Sequence, residues 1–147
     1  MLGLMALGYL LLHDLFGGTL LAHSSWDSYT LQSLAWLRGD MDLGRNYDYL
    51  ELAIFEGKYY VSFPPFPSVV MLPFALIFGE NTPNNLIIAA VAMCSAATVY
   101  SLSLRARFKP GDAALIALFI VWGSNLMWMS TNGGVWFMAQ ALNMLLL

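Results

Sequence analysis

Residues 86–104 read Leu86-Ile87-Ile88-Ala89-Ala90-Val91-Ala92-Met93-Cys94-Ser95-Ala96-Ala97-Thr98-Val99-Tyr100-Ser101-Leu102-Ser103-Leu104, and Arg105-Ala106-Arg107-Phe108-Lys109-Pro110-Gly111-Asp112 follow at once. The first stretch has no charge and matches the roughly 20 apolar residues a membrane-crossing helix needs. Its alanines and serines suit close helix packing in lipid. Arg105, Arg107 and Lys109 crowd a short loop, and short loops rich in such cations stay on the cytoplasmic side. Residues 86–104 are therefore expected to run from outside to inside, with 105–112 as a cytoplasmic loop.

Toward the C-terminus, 113–128 is the returning span, Ser130-Thr131-Asn132-Gly133-Gly134 emerges outside, and 134–147 begins a further span. Toward the N-terminus, 1–22 is a first span. It starts inside an apolar run with no basic flank, and Leu147 ends inside another, so a piece of a longer membrane protein is expected. His13 and Asp14 are read as lying at the outer edge of the first span. The other reading is a pair within the membrane, serving a proton relay or binding an ion. The apolar run 63–78 carries Pro64, Pro65, Pro67 and Pro73. As a helix it would extend only about 24 Å, short of a hydrocarbon core of about 30 Å. Pro73 is expected to break its hydrogen-bond ladder. This run is placed on the outer interface, which makes 23–85 one long outer loop. The fold class expected is all-α: a polytopic transmembrane helical bundle, with amphipathic interfacial helices in that loop.

Composition points the same way. The 147 residues are 59% hydrophobic and 10% charged, where soluble domains carry about 25% charge. Mean hydropathy is +0.66. A net charge of −3 with six Lys and Arg gives no basic patch for nucleic acid. Cys94 is the single cysteine, so no internal disulfide forms. There is no zinc spacing, phosphate-binding glycine loop or Ser-His-Asp order.

Within the outer loop, 24–39 reads as an amphipathic helix capped by Ser24 or Ser25 and stopped at Gly39. Trp26, Tyr29 and Trp36 are its interface anchors, and Asp27 falls in its first turn. Asp27 either caps the helix or faces a cavity above the bundle. Glu56-Gly57 is a turn, and 58–63 is extended. Lys58, Tyr59 and Tyr60 combine a cation with aromatics, a mixture that grips a phosphate and a sugar ring or anchors the chain at the interface.

In order, these parts are an acid after the first span, a helix ending at Gly39, Gly57-Lys58-Tyr59-Tyr60 leading into Phe63-Pro64-Pro65, a proline-bearing helix to Phe78-Gly79, and a span closed by Arg105 and Arg107. Over residues 24–147 the set resembles the GT-C class of membrane glycosyltransferases, in the branch of protein O-mannosyltransferases and lipid A aminoarabinose transferases. The resemblance implies transfer of a sugar from a polyprenyl-phosphate carrier to an acceptor at the outer face of the plasma (inner) membrane. It implies an acid, here Asp27, acting as base or helping to hold a divalent metal. Lys58, Tyr59, Tyr60 and Gln140 are the candidate substrate contacts. The chain departs from the family pattern at Ser28, where a second acid often stands. It departs again at Phe63, where a lysine often precedes the proline, and in an outer turn offering Asn132, Trp136 and Gln140. Two other functions remain open: a transporter or channel component, which calls for polar groups and broken helices inside the spans, and a non-catalytic scaffold binding a partner through its outer loop.

Overall fold

The computed structural model describes all 147 residues. It is 65% helix and 5% strand with seven helices, so the chain is largely all-α. Its spine is α4, Asn84–Arg105. At about 1.5 Å per residue this helix reaches about 33 Å, enough for a bilayer core of about 30 Å. It is the one helix long and apolar enough to cross a membrane.

The other expected spans are shorter than read from the sequence. The helix α1 covers Leu2–Leu15 and not 1–22. Gly17 and Gly18, with φ of +85° and +77°, turn the chain out of the helix there. The helix α5 starts early, at Pro110, because proline suits a first helical turn. It then stops at Trp122 and does not continue to 128. Gly123 closes it, and the Ser124 hydroxyl accepts the Leu126 N–H at 3.2 Å and so starts α6, Asn125–Met129. This is the one interruption of the kind a transporter calls for, and no ionisable side chain stands at it. The helix α7 covers Val135–Leu146.

Helices α1, α5 and α7 pack on α4 or on one another, α5 most extensively through alanines. Ala92 and Ala96 of α4 and Ala113 and Ala117 of α5 are fully buried. Small side chains let two backbones approach and gain dispersion contact along their length. A polar contact adds to this packing. The Tyr9 hydroxyl lies 2.6 Å from Ser130 Oγ, and its ring meets Trp122 edge-on at 6.1 Å. A Cβ on Gly8 would fall 1.9 Å from the Trp122 ring, so glycine is what admits that ring against α1.

The loop between α1 and α4 corrects three expectations. The helix α2 is Ser28–Leu37 and is capped by Asp27, not by Ser24 or Ser25. Residues 24–26 are held out of the helix by bonds to the start of α4 and α7. Tyr29 is no interface anchor: it is fully buried. Finally, α3, Phe66–Phe78, runs unbroken through Pro73. An interior proline costs about 3 kcal/mol, and packing on α2 offsets it. The Ser33 hydroxyl sits 2.7 Å from the Ser68 carbonyl oxygen, and the Ser68 hydroxyl donates to Gln32 Oε1 at 2.5 Å. Between α2 and α3, β1 (Leu52–Phe55) and β2 (Lys58–Val61) form an antiparallel hairpin pairing Leu52 with Val61 and Phe55 with Lys58. Glu56 and Gly57 both take positive φ at its tip, which is the turn geometry that matches strand twist.

Candidate functional site

Asp27 occupies the cap of α2, where φ −96° and ψ 89° are not helical. Its Oδ1 accepts the N–H groups of Tyr29 at 3.0 Å and Thr30 at 3.1 Å, and Oδ2 accepts the Thr30 hydroxyl. The Asn84 side chain adds a further hydrogen bond to the carboxylate. Asp27 is only 1% exposed. Burial pushes its carboxyl above the ordinary value, and the bonds from Thr30 pull back only in part. Beneath it, burial and the charge of Asp27 push the Tyr29 hydroxyl up to about 12.

Asp27 lines a cleft of about 230 Å³. His23, Arg45, Tyr47 and Glu80 line it too. His23 Nδ1 donates to the Thr82 carbonyl oxygen at 3.1 Å, which leaves Nε2 of the neutral ring as an acceptor. Arg45 lies 4.6 Å over the Tyr47 ring, a cation–π contact. Tyr47 meets Tyr49 edge-on at 6.1 Å, and Tyr49 meets Trp26 at 6.2 Å. An aromatic row thus leads from the guanidinium back to the residue before Asp27.

The one cation lining this cleft besides His23 is Arg45, which makes no ion pair with Asp27. Lys58, Tyr59, Tyr60 and Gln140 do not line this cleft. Lys58 Nζ lies 3.2 Å from Asp42 Oδ2. Asp42 is held below the usual carboxylate range, first by the Gly44 N–H at 2.9 Å and then by Lys58. Tyr59 and Tyr60 are half-buried in β2, and Gln140 is exposed on α7. Tyr59 still bears on the site, because its carbonyl oxygen takes the Leu43 N–H at 2.8 Å and so ties the loop carrying Arg45 to the hairpin. The residues missed in the sequence had a signal: Arg45-Asn46-Tyr47-Asp48-Tyr49 repeats the cation-and-aromatic mixture of 58–60.

Two asparagines hold the site together, and neither was singled out from the sequence. Asn84 is fully buried, and its Oδ1 accepts the Ser24 N–H at 2.8 Å. Asn85 Nδ2 donates to the Thr19 carbonyl oxygen at 2.9 Å, and its Oδ1 accepts the Gly133 N–H at 2.8 Å. The Val135 N–H donates to the Trp26 carbonyl oxygen at 3.0 Å. The start of α4 thus clamps the segment before Asp27 to the turn before α7. His13 and Asp14 fall in the last turn of α1 and part company: His13 is buried, with Nδ1 2.9 Å from Thr19 Oγ1, while Asp14 is exposed.

No group of three or more His, Cys, Asp or Glu side chains comes close enough to hold a metal ion, so the donor set does not fit the metal that the GT-C resemblance allows. Compared with known proteins, the chain matches no family model, no curated protein and no solved structure.

Proposed function

We propose that the chain works at the outer face of the plasma membrane as a glycosyltransferase that takes a sugar from a polyprenyl-phosphate carrier. The observation that carries this is a buried carboxylate, Asp27, with a raised pKa, in one cleft with the guanidinium of Arg45. An acceptor hydroxyl attacks the anomeric carbon of the donor sugar. The bond from that carbon to the phosphate oxygen breaks, and polyprenyl phosphate leaves with the electron pair. Asp27 takes the hydroxyl proton, and a carboxylate with a raised pKa is a better base near neutrality. Arg45 balances the charge of the departing phosphate.

The membrane setting rests on an inside-out helix. Met5, Tyr9 and His13 of α1 are buried, while Leu4, Leu7, Leu11 and Leu15 are exposed. Each set recurs at helical spacing, so α1 shows leucine outward and keeps its imidazole and phenol inward. Leu115 and Phe119 of α5 and Leu76 and Ile77 of α3 are likewise exposed. Water penalises such faces and lipid does not. In this reading α1, α4, the broken pair α5–α6 and α7 form a polytopic bundle, with α2, α3 and the hairpin on its outer side.

A non-catalytic scaffold is favoured by one observation: capping and the Thr30 hydroxyl account for three of the bonds Asp27 makes. Release of polyprenyl phosphate from a panel of polyprenyl-phosphate sugars, by the chain in lipid vesicles, separates the two. Release by the wild type that Asp27→Asn abolishes is expected. No release from any donor, or equal release by the variant, leaves the scaffold. Topology is tested in a Cys94→Ser background. Cysteines at the exposed Asn81 and Lys109, either side of α4, should react with an impermeant thiol reagent from opposite sides. Labelling from one side would remove α4 as a span.

A further inference from the structure

A second pair of clefts lies on the other side of the asparagine clamp, between the end of α1, α6 and the start of α7. One is about 390 Å³ and reaches Leu12, Gly123, Ser124, Asn125 and Met127. The other is about 320 Å³ and reaches Thr19, Asn85, Asn132 and Phe137. Both are lined by Phe16, Trp128 and Thr131, so they flank one aromatic pair. Phe16 and Trp128 meet edge-on at 6.5 Å. Each volume is in the range of small-ligand sites, about 300–1,000 Å³.

The lining selects a chemical class. Neither cleft is lined by Asp, Glu, Lys or Arg, so a phosphate, carboxylate or amine would lose its hydration without a counter-charge. A purely apolar ligand would cover the Asn125 carboxamide without pairing it, at about 1–3 kcal/mol for a group left unpaired. A neutral polyol ring suits both conditions. The C–H face of a pyranose is apolar and lies flat on an aromatic ring, while its rim of hydroxyls needs directional neutral donors and acceptors. Such groups are present. Asn125 is exposed. Thr131 donates its hydroxyl proton to the Trp128 carbonyl oxygen at 2.8 Å, which leaves its oxygen to accept. Thr19 is oriented from behind by His13, 2.9 Å away. The His13 ring itself is buried, meets Phe16 edge-on at 6.3 Å, and has no partner for Nε2. A buried imidazole kept half-satisfied behind the cleft wall is a cost that a purely structural corner would not need.

We propose that these paired clefts bind a neutral saccharide, with Trp128 and Phe16 against the C–H face of its rings and Asn125, Thr131 and Thr19 hydrogen-bonded to its hydroxyls. The saccharide is either free or the headgroup of a glycolipid. The site does not depend on sugar transfer at Asp27, and the two ideas fail separately.

The test uses the full chain in phosphatidylcholine nanodiscs free of sugar detergent. Saturation-transfer NMR reads binding of maltose in one arm, and tryptophan fluorescence reads glucosyl diacylglycerol added to the bilayer in the other. Wild type is expected to bind in at least one arm, which also identifies the source of the sugar. Trp128→Ala should abolish binding, and Asn125→Leu, at an exposed position where the fold tolerates it, should weaken it at least fivefold. Glucose 6-phosphate should bind at least tenfold more weakly than maltose. Asp27→Asn should leave binding unchanged. Silence in both arms, wild-type binding by Asn125→Leu, or equal binding of glucose 6-phosphate would overturn the proposal.

Discussion

Asp27→Asn is expected to slow release of polyprenyl phosphate by about a hundred- to ten-thousandfold, the range for loss of a general base, while leaving the fold in place. The carboxamide has nearly the shape of the carboxyl. Its oxygen keeps the N–H groups of Tyr29 and Thr30, now at 3.0 and 3.1 Å, so α2 stays capped. What it lacks is a lone pair able to take a proton. Asp27→Ala removes both properties, and should add a stability loss of about 0.5–2 kcal/mol from the lost cap. Activity and stability therefore separate across the two variants. The pH dependence supplies a further check. Burial raises the folded-state pKa of Asp27 above 3.8. Between 3.8 and the raised value the folded chain holds a proton that the unfolded chain has released. Stability contributed by this group is thus present in full below the window and falls as pH rises through it. Thermal unfolding of the wild type should show that fall, and the asparagine variant should not. A slope unchanged by the substitution would mean that position 27 is well hydrated.

Breaking the clamp at the start of α4 should cost the most stability. Asn84→Leu strands the Ser24 N–H, now 2.8 Å from Asn84 Oδ1, at about 1–3 kcal/mol for a donor left without a partner. Gly133→Ala attacks the same junction by volume. Its Cβ would lie 2.5 Å from the Asn84 carbonyl carbon, and backbone cannot swing aside as a side-chain tip can. Overpacking of this kind costs about 1–3 kcal/mol. Since both changes act on Asn84, the double variant should lose less than the sum. Thermal unfolding of the four proteins gives the cycle directly, and protease cleavage near residues 19–27 should quicken in each variant. Strict additivity, or unaltered cleavage, would show that the clamp does not join those segments.

The apolar run 86–104 was legible because its signal is one of composition and length, which need no partner. The same holds for the turn at Glu56-Gly57 and for the stop at Gly39, whose φ of +87° only glycine adopts without strain. The run 113–128 was misread because hydropathy does not register a change of direction. Gly123 and Ser124 look like packing residues in an apolar string, yet Ser124 restarts the helix with its own hydroxyl. Pro73 misled in the other direction: its local cost is real, and only packing on α2 outweighs it.

The candidate site divides along the same line. From the sequence alone came Asp27 as a candidate, the helical class, and Lys58, Tyr59 and Tyr60 as the cation and aromatics expected to serve with it. Tertiary structure decided which cation. Arg45 and Lys58 carry equivalent local chemistry, and Asp42 engages Lys58 while Arg45 lines the cleft that holds Asp27. It also decided the cap, since Ser24 and Ser25 were equally able acceptors until Asn84 drew the chain away from helical geometry. Propensity and hydropathy are properties of neighbours along the chain. Choices between chemically equal residues are made by contacts between residues distant along the chain, such as Lys58 with Asp42 and Ser24 with Asn84, and those exist only once the chain has packed.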